Sequence, residues 1–170
     1  MKTMANKSLL ILDHNQITQK IKRIAYQILE SNVDEEELIL AGIARSGYQL
    51  AEELQQELQK IGPLRIRLCE VKLDKKNPLG MITTSLSPEE YQNRSLVLAD
   101  DVLNSGTTLI YGVKHFLQVP LKQFRTAVLV DRSHKKFPVK ADFKGISLST
   151  SIHETVKVFF EKDNYRVELH

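Results

Sequence analysis

The sequence predicts an α/β fold, a mostly parallel open sheet flanked by helices, and three observations carry that expectation. Short apolar runs at residues 38–43, 66–73, 96–99 and 126–130 have the length and composition of buried strands. Helix-periodic segments follow the first and third of these runs, the alternation that produces βαβ units and parallel pairing. With 170 residues and 42% hydrophobic content, the chain can fill one substantial core and not two, so residues 1–170 are expected to form a single domain.

Taken in order, residues 17–29 place Ile17, Ile21, Ile24, Ala25, Ile28 and Leu29 on one helical face, with Asp13 and Gln16 spaced as a capping box ahead of them. The run 38–43 reads as a buried strand that ends in the turn Ala44-Arg45-Ser46-Gly47. A second helix comes next, carrying Leu50, Ala51, Leu54, Leu58 and Ile61. Residues 66–73 give the next strand. Between 74 and 94 lies a polar stretch with Pro78, Gly80 and Pro88, longer than compact domains spend on a connection, and the expectation is a flexible flap or lid. Residues 81–86 read as part of a short hairpin inside it. A strand at 96–99, a helix over 109–117 and a strand at 126–130 continue the α/β rhythm. Near the C-terminus Val156, Val158 and Phe160 alternate, Lys162-Asp163-Asn164 turns the chain, and Tyr165, Val167 and Leu169 alternate again, as in a β-hairpin.

Charge and cysteine usage narrow the class. The formal charge of +3, from 24 Lys and Arg against 21 Asp and Glu, gives no strong nonspecific attraction to nucleic acid. The single cysteine, Cys69, sits in the alternation of a strand, so a disulfide framework is excluded and a buried thiol is expected rather than a nucleophile. No apolar run approaches a membrane span, and Met1–Asn6 lacks the apolar core of a secretory signal. A cytoplasmic location is the expectation.

The most informative stretch is 95–108, Ser-Leu-Val-Leu-Ala-Asp-Asp-Val-Leu-Asn-Ser-Gly-Thr-Thr. An apolar strand delivers Asp100 and Asp101 to the sheet edge, where carboxylates accept hydrogen bonds from vicinal hydroxyls or hold a metal's water shell. Asn104, Ser105, Gly106, Thr107 and Thr108 then supply hydroxyls and backbone N–H groups just before a helix, so a phosphate would rest on a helix N-terminus. Gly106 lets the chain wrap closely. A second turn, Gly42-Ile43-Ala44-Arg45-Ser46-Gly47, has the glycine spacing of a Walker A loop, but Tyr48 and Gln49 stand where Lys and Ser/Thr would be required. Two loops at the carboxyl ends of neighbouring strands face one crevice. This turn is therefore expected to bind a diphosphate, with Arg45 neutralising charge, unless it is only a tight turn with a surface arginine.

The stretch 95–108 resembles the phosphoribosyl diphosphate (PRPP) signature of type I phosphoribosyltransferases. The resemblance runs from about residue 11 to the C-terminus and is nearest to the bifunctional pyrimidine-operon attenuator and uracil phosphoribosyltransferase family. Its carriers are Ile11-Leu12-Asp13 with Arg23-Ile24-Ala25, Asp100-Asp101-Val102-Leu103, the run from Ala127 to Asp131 with Arg132-Ser133-His134, the segment from Phe137 to Phe143, and Ser149-Thr150-Ser151. It implies a type I phosphoribosyltransferase fold with a flap at about 74–94 and a hood with the C-terminal hairpin at about 131–170. It also implies Mg²⁺, uracil as the base, UMP and diphosphate as products, and a homodimer or larger assembly.

In that setting Asp100 and Asp101 orient the ribose and hold the metal, directly or through water, and Lys75 and Lys76 act from the lid as catalytic cations on the diphosphate. Val130, Asp131 and Arg132 are placed to read the base, with Phe137 and Phe143 as its walls, unless these two phenylalanines are core. His134 reads as a surface or hydrogen-bonded histidine. The chain departs from the family at Leu73-Asp74-Lys75-Lys76-Asn77, where a Tyr-Arg pair is usual, at Ser46, at Asn104, and after Ser151, where no arginine follows.

Two rival readings remain at this level. A purine phosphoribosyltransferase would carry an acid at position 104, and Asn104 argues against it. A non-catalytic sensor of PRPP or UMP that binds a messenger RNA leader would use Arg132, Lys135, Lys136, Lys140 and Lys144 on RNA phosphates, although a charge run is usually a solvated face.

Overall fold

A computed structural model describes residues 7–132 and 134–170. The expectation about Met1–Asn6 and the Ser133 position of the resemblance lie outside them. The chain begins with β1 (Leu9–Leu12) and α1 (His14–Glu30). Asp13 caps α1 as its spacing implies: its Oδ1 accepts from the Gln16 N–H at 2.9 Å, and Gln16 Oε1 accepts from the Asp13 N–H at 2.9 Å. Next come β2 (Glu37–Ile43), α2 (Ser46–Ile61), β3 (Arg65–Lys72), β4 (Thr83–Thr84), α3 (Pro88–Tyr91), β5 (Ser95–Leu103), α4 (Thr107–Phe116), β6 (Gln123–Asp131), β7 (Phe143–Ser147), β8 (Val156–Glu161) and β9 (Asn164–Leu169).

Six strands form the main sheet in the order β4-β3-β2-β5-β6-β7, parallel except for β4. Helices α1 and α2 pack on one face through Ile17, Ile24, Ile28, Leu50, Leu54 and Leu58, all fully buried. On the other face α4 contributes Leu109 and Phe116, and Tyr91 of α3 packs edge-on against Phe116. Because β3 lies on one side of β2 and β5 on the other, the winding direction reverses between β2 and β5. In an open α/β sheet, such a reversal leaves a crevice at the carboxyl ends of the two strands.

A second, three-stranded antiparallel sheet, β1-β9-β8, joins the N-terminal strand to the C-terminal hairpin. It sets the hood's limits differently from the expected 131–170: β7 within that range pairs parallel with β6 and belongs to the main sheet, while β1 joins the hood. The flap expectation is also refined. The hairpin pairs β4 with β3, Thr84 opposite Val71 and Thr83 opposite Lys72, so its first strand precedes residue 74. The end of the 74–94 stretch is anchored, since α3 has a Ser87–Glu90 capping box and Tyr91 is buried.

Candidate active site

β5 is held between β2 and β6, and its apolar residues from Leu96 to Ala99 are buried on both faces, which fixes the register of the residues after Ala99. Asp100 and Asp101 thereby arrive at the crevice mouth. Asp100 is buried at 3% exposure because Gly47, near the start of α2, lies against it; a Cβ at Gly47 would come within 2.8 Å of the Ala99 carbonyl and 2.9 Å of the Asp100 Cα. Burial first, and the neighbouring Asp101 second, push the Asp100 carboxyl well above the ordinary carboxylate range. Lys75 opposes that shift from the flap, its Nζ 3.8 Å from Asp100 Oδ1. The Asp101 N–H also donates to Asp100 Oδ1 at 2.9 Å.

Beyond β5 the chain turns through Asn104-Ser105-Gly106 into α4. Gly106 has φ +87°, and a Cβ there would lie 2.7 Å from Val139 Cγ1, so both the dihedral and the space require glycine. The carbonyl of Ser105 accepts from the N–H groups of Lys136 at 2.7 Å and Phe137 at 3.2 Å, which pins the turn from outside. Inside, Ser105 Oγ and Thr107 Oγ1 are 2.8 Å apart, the Thr107 N–H donates to Ser105 Oγ at 3.3 Å, and the first residues of α4 line the crevice. A cavity of about 230 Å³ results, lined by Lys75, Asp100, Asp101, the segment Asn104–Thr108 and, from the hood, Val156. It has a carboxylate pair at one end, an N–H and hydroxyl cradle at the other and one lysine above: groups suited to a phosphorylated sugar.

The structure does not gather every expected residue there. Ala44 and Arg45 face a neighbouring depression of about 560 Å³ together with Tyr48, Glu70 and Lys72, whereas Ser46 opens α2 and Gly47 reaches Asp100. Lys76 is exposed, its N–H turned back to Asp74 Oδ1 at 2.9 Å, and does not line the cavity.

The residues expected to read the base do not line this cavity. Phe143 is a core residue, 8% exposed and paired with Ala127 at the end of β7 remote from the crevice. Phe137 packs edge-on against Tyr111 of α4, centroids 6.4 Å apart, and backs the Gly106 turn from outside the cavity. Val130 is buried inside β6 between β5 and β7, where its backbone belongs to the sheet ladders. The Asp131 carbonyl accepts from the Leu148 N–H at 2.8 Å, and Lys144 Nζ lies 3.8 Å from Asp131 Oδ2. Arg132 is 8% exposed and is spent on protein oxygens, among them Asn104 Oδ1 at 3.0 Å and Thr150 Oγ1 at 2.7 Å. His134 is hydrogen-bonded, Nε2 lying 2.6 Å from the Thr150 carbonyl. Sequence reasoning missed Val156 as a lining residue, because it reads as hairpin core, and missed Glu154, whose carbonyl accepts from Arg132 at 2.7 Å.

Comparison with known proteins gives the family and the fold. The Phosphoribosyl transferase domain family matches residues 9–161. The chain belongs to the phosphoribosyltransferase family, with the type I fold of mostly parallel sheet and flanking helices that family members share. Within it, the chain is similar to proteins named Bifunctional protein PyrR: 33% identical to that of Caldicellulosiruptor bescii over 91% of each chain, and 34% identical to that of Bacillus pumilus over 87% of this chain and 88% of the relative. Among solved structures, the hypoxanthine phosphoribosyltransferase of Trypanosoma cruzi superposes with a TM-score of 0.76 at 14% identity, covering 93% of this chain and 94% of that one. A hypoxanthine-guanine phosphoribosyltransferase of Bacillus anthracis gives 0.70 at 17% identity over 85% and 82%. At such identities the likeness is one of fold. No helix among the described residues is long and apolar enough to cross a membrane.

Proposed function

We propose that the protein transfers ribose 5-phosphate from PRPP to a ring nitrogen of uracil, giving UMP and diphosphate. The observation that carries the reading is the single cavity joining Asp100 and Asp101 to the N-terminus of α4 beneath Lys75. The 5-phosphate rests on the N–H groups and hydroxyls of residues 105–108, and the ribose hydroxyls meet the carboxylates. The bond from C1 of the ribose to the diphosphate oxygen breaks, the bond from C1 to the base nitrogen forms, and the nitrogen's proton leaves to the medium. The transition state is oxocarbenium-like, so the residues act by holding the reactants in line and by countering the charge that departs with the diphosphate. Lys75 does so from above; Arg45 does so from the next loop. Closure of the 73–82 segment excludes water, the competing nucleophile.

The donor set fits Mg²⁺ that arrives with its substrate. Two carboxylates stand at the cavity mouth, and among the described residues no group of three or more His, Cys, Asp or Glu side chains is arranged around a metal. Mg²⁺ commonly takes one or two protein carboxylates and completes its shell with phosphate and water. Asp100 and Asp101 would hold it, and when bound it supplies charge neutralisation at the diphosphate.

Asn104 favours uracil over a purine. It is neutral, and its Oδ1 accepts from Arg132, so it presents no acid to a purine ring nitrogen. A second function, binding of a messenger RNA leader, is favoured by Lys135, Lys136, Lys140 and Lys144, all exposed within one segment, and by similarity to proteins named bifunctional. Assembly as a homodimer or larger, in a cytoplasm whose reducing conditions suit the free buried Cys69, completes the reading. The test is incubation with PRPP, Mg²⁺ and a panel of bases. UMP and diphosphate in equal amounts from uracil support it; a purine nucleotide, or none from any base, refutes it.

A further inference from the structure

We infer that Arg132 is a positioning residue, a buried brace that sets the hood loop at a fixed distance from the ribose-phosphate cradle. The inference rests on the proposed transferase reading and adds to it the device that aligns the base side with the ribose side. Arg132 directly follows β6, and its N–H donates to the Leu103 carbonyl at 3.1 Å, so its backbone is locked to the end of β5. From there the guanidinium spans two segments. Nη1 donates to Asn104 Oδ1 at 3.0 Å, at the entrance to the phosphate turn. Nε and Nη2 donate to Thr150 Oγ1 at 3.0 and 2.7 Å, and Nη2 also donates to the carbonyls of Ser151 at 3.3 Å and Glu154 at 2.7 Å, in the connection between β7 and the hood.

These acceptors are neutral oxygens. A buried cation held by dipoles alone is costly to leave short of partners, so each donor lost carries a penalty and the arrangement resists drift. A planar fork also fixes direction as well as distance, which a lysine in its place would not. Further contacts stiffen the hood side. Ser151 N–H donates to Glu154 Oε2 at 2.6 Å, and Glu154 N–H to the Ser151 carbonyl at 3.2 Å.

The cradle has separate support. The N–H groups of Lys136 and Phe137 hold the Ser105 carbonyl, and Val139 lies against Gly106, with Arg132 taking no part in either contact. Loss of the guanidinium therefore frees the hood loop and leaves the phosphate turn in place. In kinetic terms the two substrates separate: PRPP affinity survives, while base capture and in-line attack suffer, since a misplacement of about 1 Å costs on the order of 10²-fold in rate.

The test compares wild type, Arg132→Ala and Arg132→Lys by steady-state kinetics, calorimetric titration of PRPP and amide hydrogen exchange. For Arg132→Ala the expected result is a fall on the order of 10²-fold in kcat/KM for the base with PRPP affinity held within about threefold. Added guanidinium should restore part of the rate, and ammonium should not. Arg132→Lys should recover little. Exchange should quicken in residues 149–155 and stay unchanged in 105–108. Parallel loss of PRPP affinity and base KM, an unchanged rate, or faster exchange throughout the domain would each overturn the inference. If wild type makes no nucleotide, the transferase reading fails by itself, and the exchange pattern alone decides whether Arg132 braces the hood.

Discussion

Asp100 sits where folding and function want different things. Its carboxyl is buried against Gly47 beside a second carboxylate, and its folded pKa lies well above the unfolded value. A carboxyl shifted upward favours the folded state below the unfolded pKa and costs stability as pH rises through the folded one. Asp100→Asn is therefore expected to raise the denaturation midpoint at pH 8, with a smaller gain at pH 4, while lowering transferase activity. An equal gain at both pH values would contradict it. At Asp101, which is less buried, Asn should cost about 2–4 kcal/mol of transition-state stabilisation, or ~30- to 10³-fold in kcat/KM, without loss of fold. Gly106→Val meets both the positive φ and the 2.7 Å approach of Val139, and calorimetry should find PRPP binding abolished. Cys69 is fully buried, and burial pushes its thiol up, so it should react with a thiol reagent only on unfolding. Native-state labelling at pH 8 would refute that.

Among the elements, the flap separates two lysines that sequence alone treats as equals. Lys75 reaches 3.8 Å from Asp100 and lines the cavity, whereas Lys76 is exposed and does not line it. Lys75→Ala should lower kcat more than it weakens PRPP binding if, as proposed, the lid acts mainly as diphosphate leaves, and Lys76→Ala should change neither. Equal effects from the two would show that the segment rearranges before it acts. Elements with internal periodicity are legible in the sequence: α1 with its cap, α2, α4, the central strands and the terminal hairpin. The elements that are not legible share one physical reason. β1 and β7 are short or half-exposed, and their residues become strands only through pairing with β9 and β6, a tertiary fact with no local signal. The same holds at the site. The Asp100–Thr108 motif is contiguous and can be read directly, but the base side is assembled from distant segments, so Phe143, read as a wall, is core, while Val156, a buried hairpin residue, also lines the cavity.

Over the whole molecule, both ends of the chain build the hood, and it is tied back to the main body. Tyr165 of β9 donates its hydroxyl to Glu53 Oε1 of α2 at 2.6 Å and its N–H to His14 Nδ1 of α1 at 3.1 Å. One rigid sheet edge thus carries the carboxylates and phosphate turn, and a second small sheet closes over them with Val156, which is the layout a two-substrate transfer needs. The most direct measurement is a crystal structure of the protein with UMP, whose phosphate and ribose mark both halves of the cavity. The expected result is the 5-phosphate on the N–H groups and hydroxyls of Ser105–Thr108, with the ribose hydroxyls at Asp100 and Asp101. A phosphate seated instead beside Arg45, with the Asp100–Thr108 cavity containing only water, would contradict the assignment.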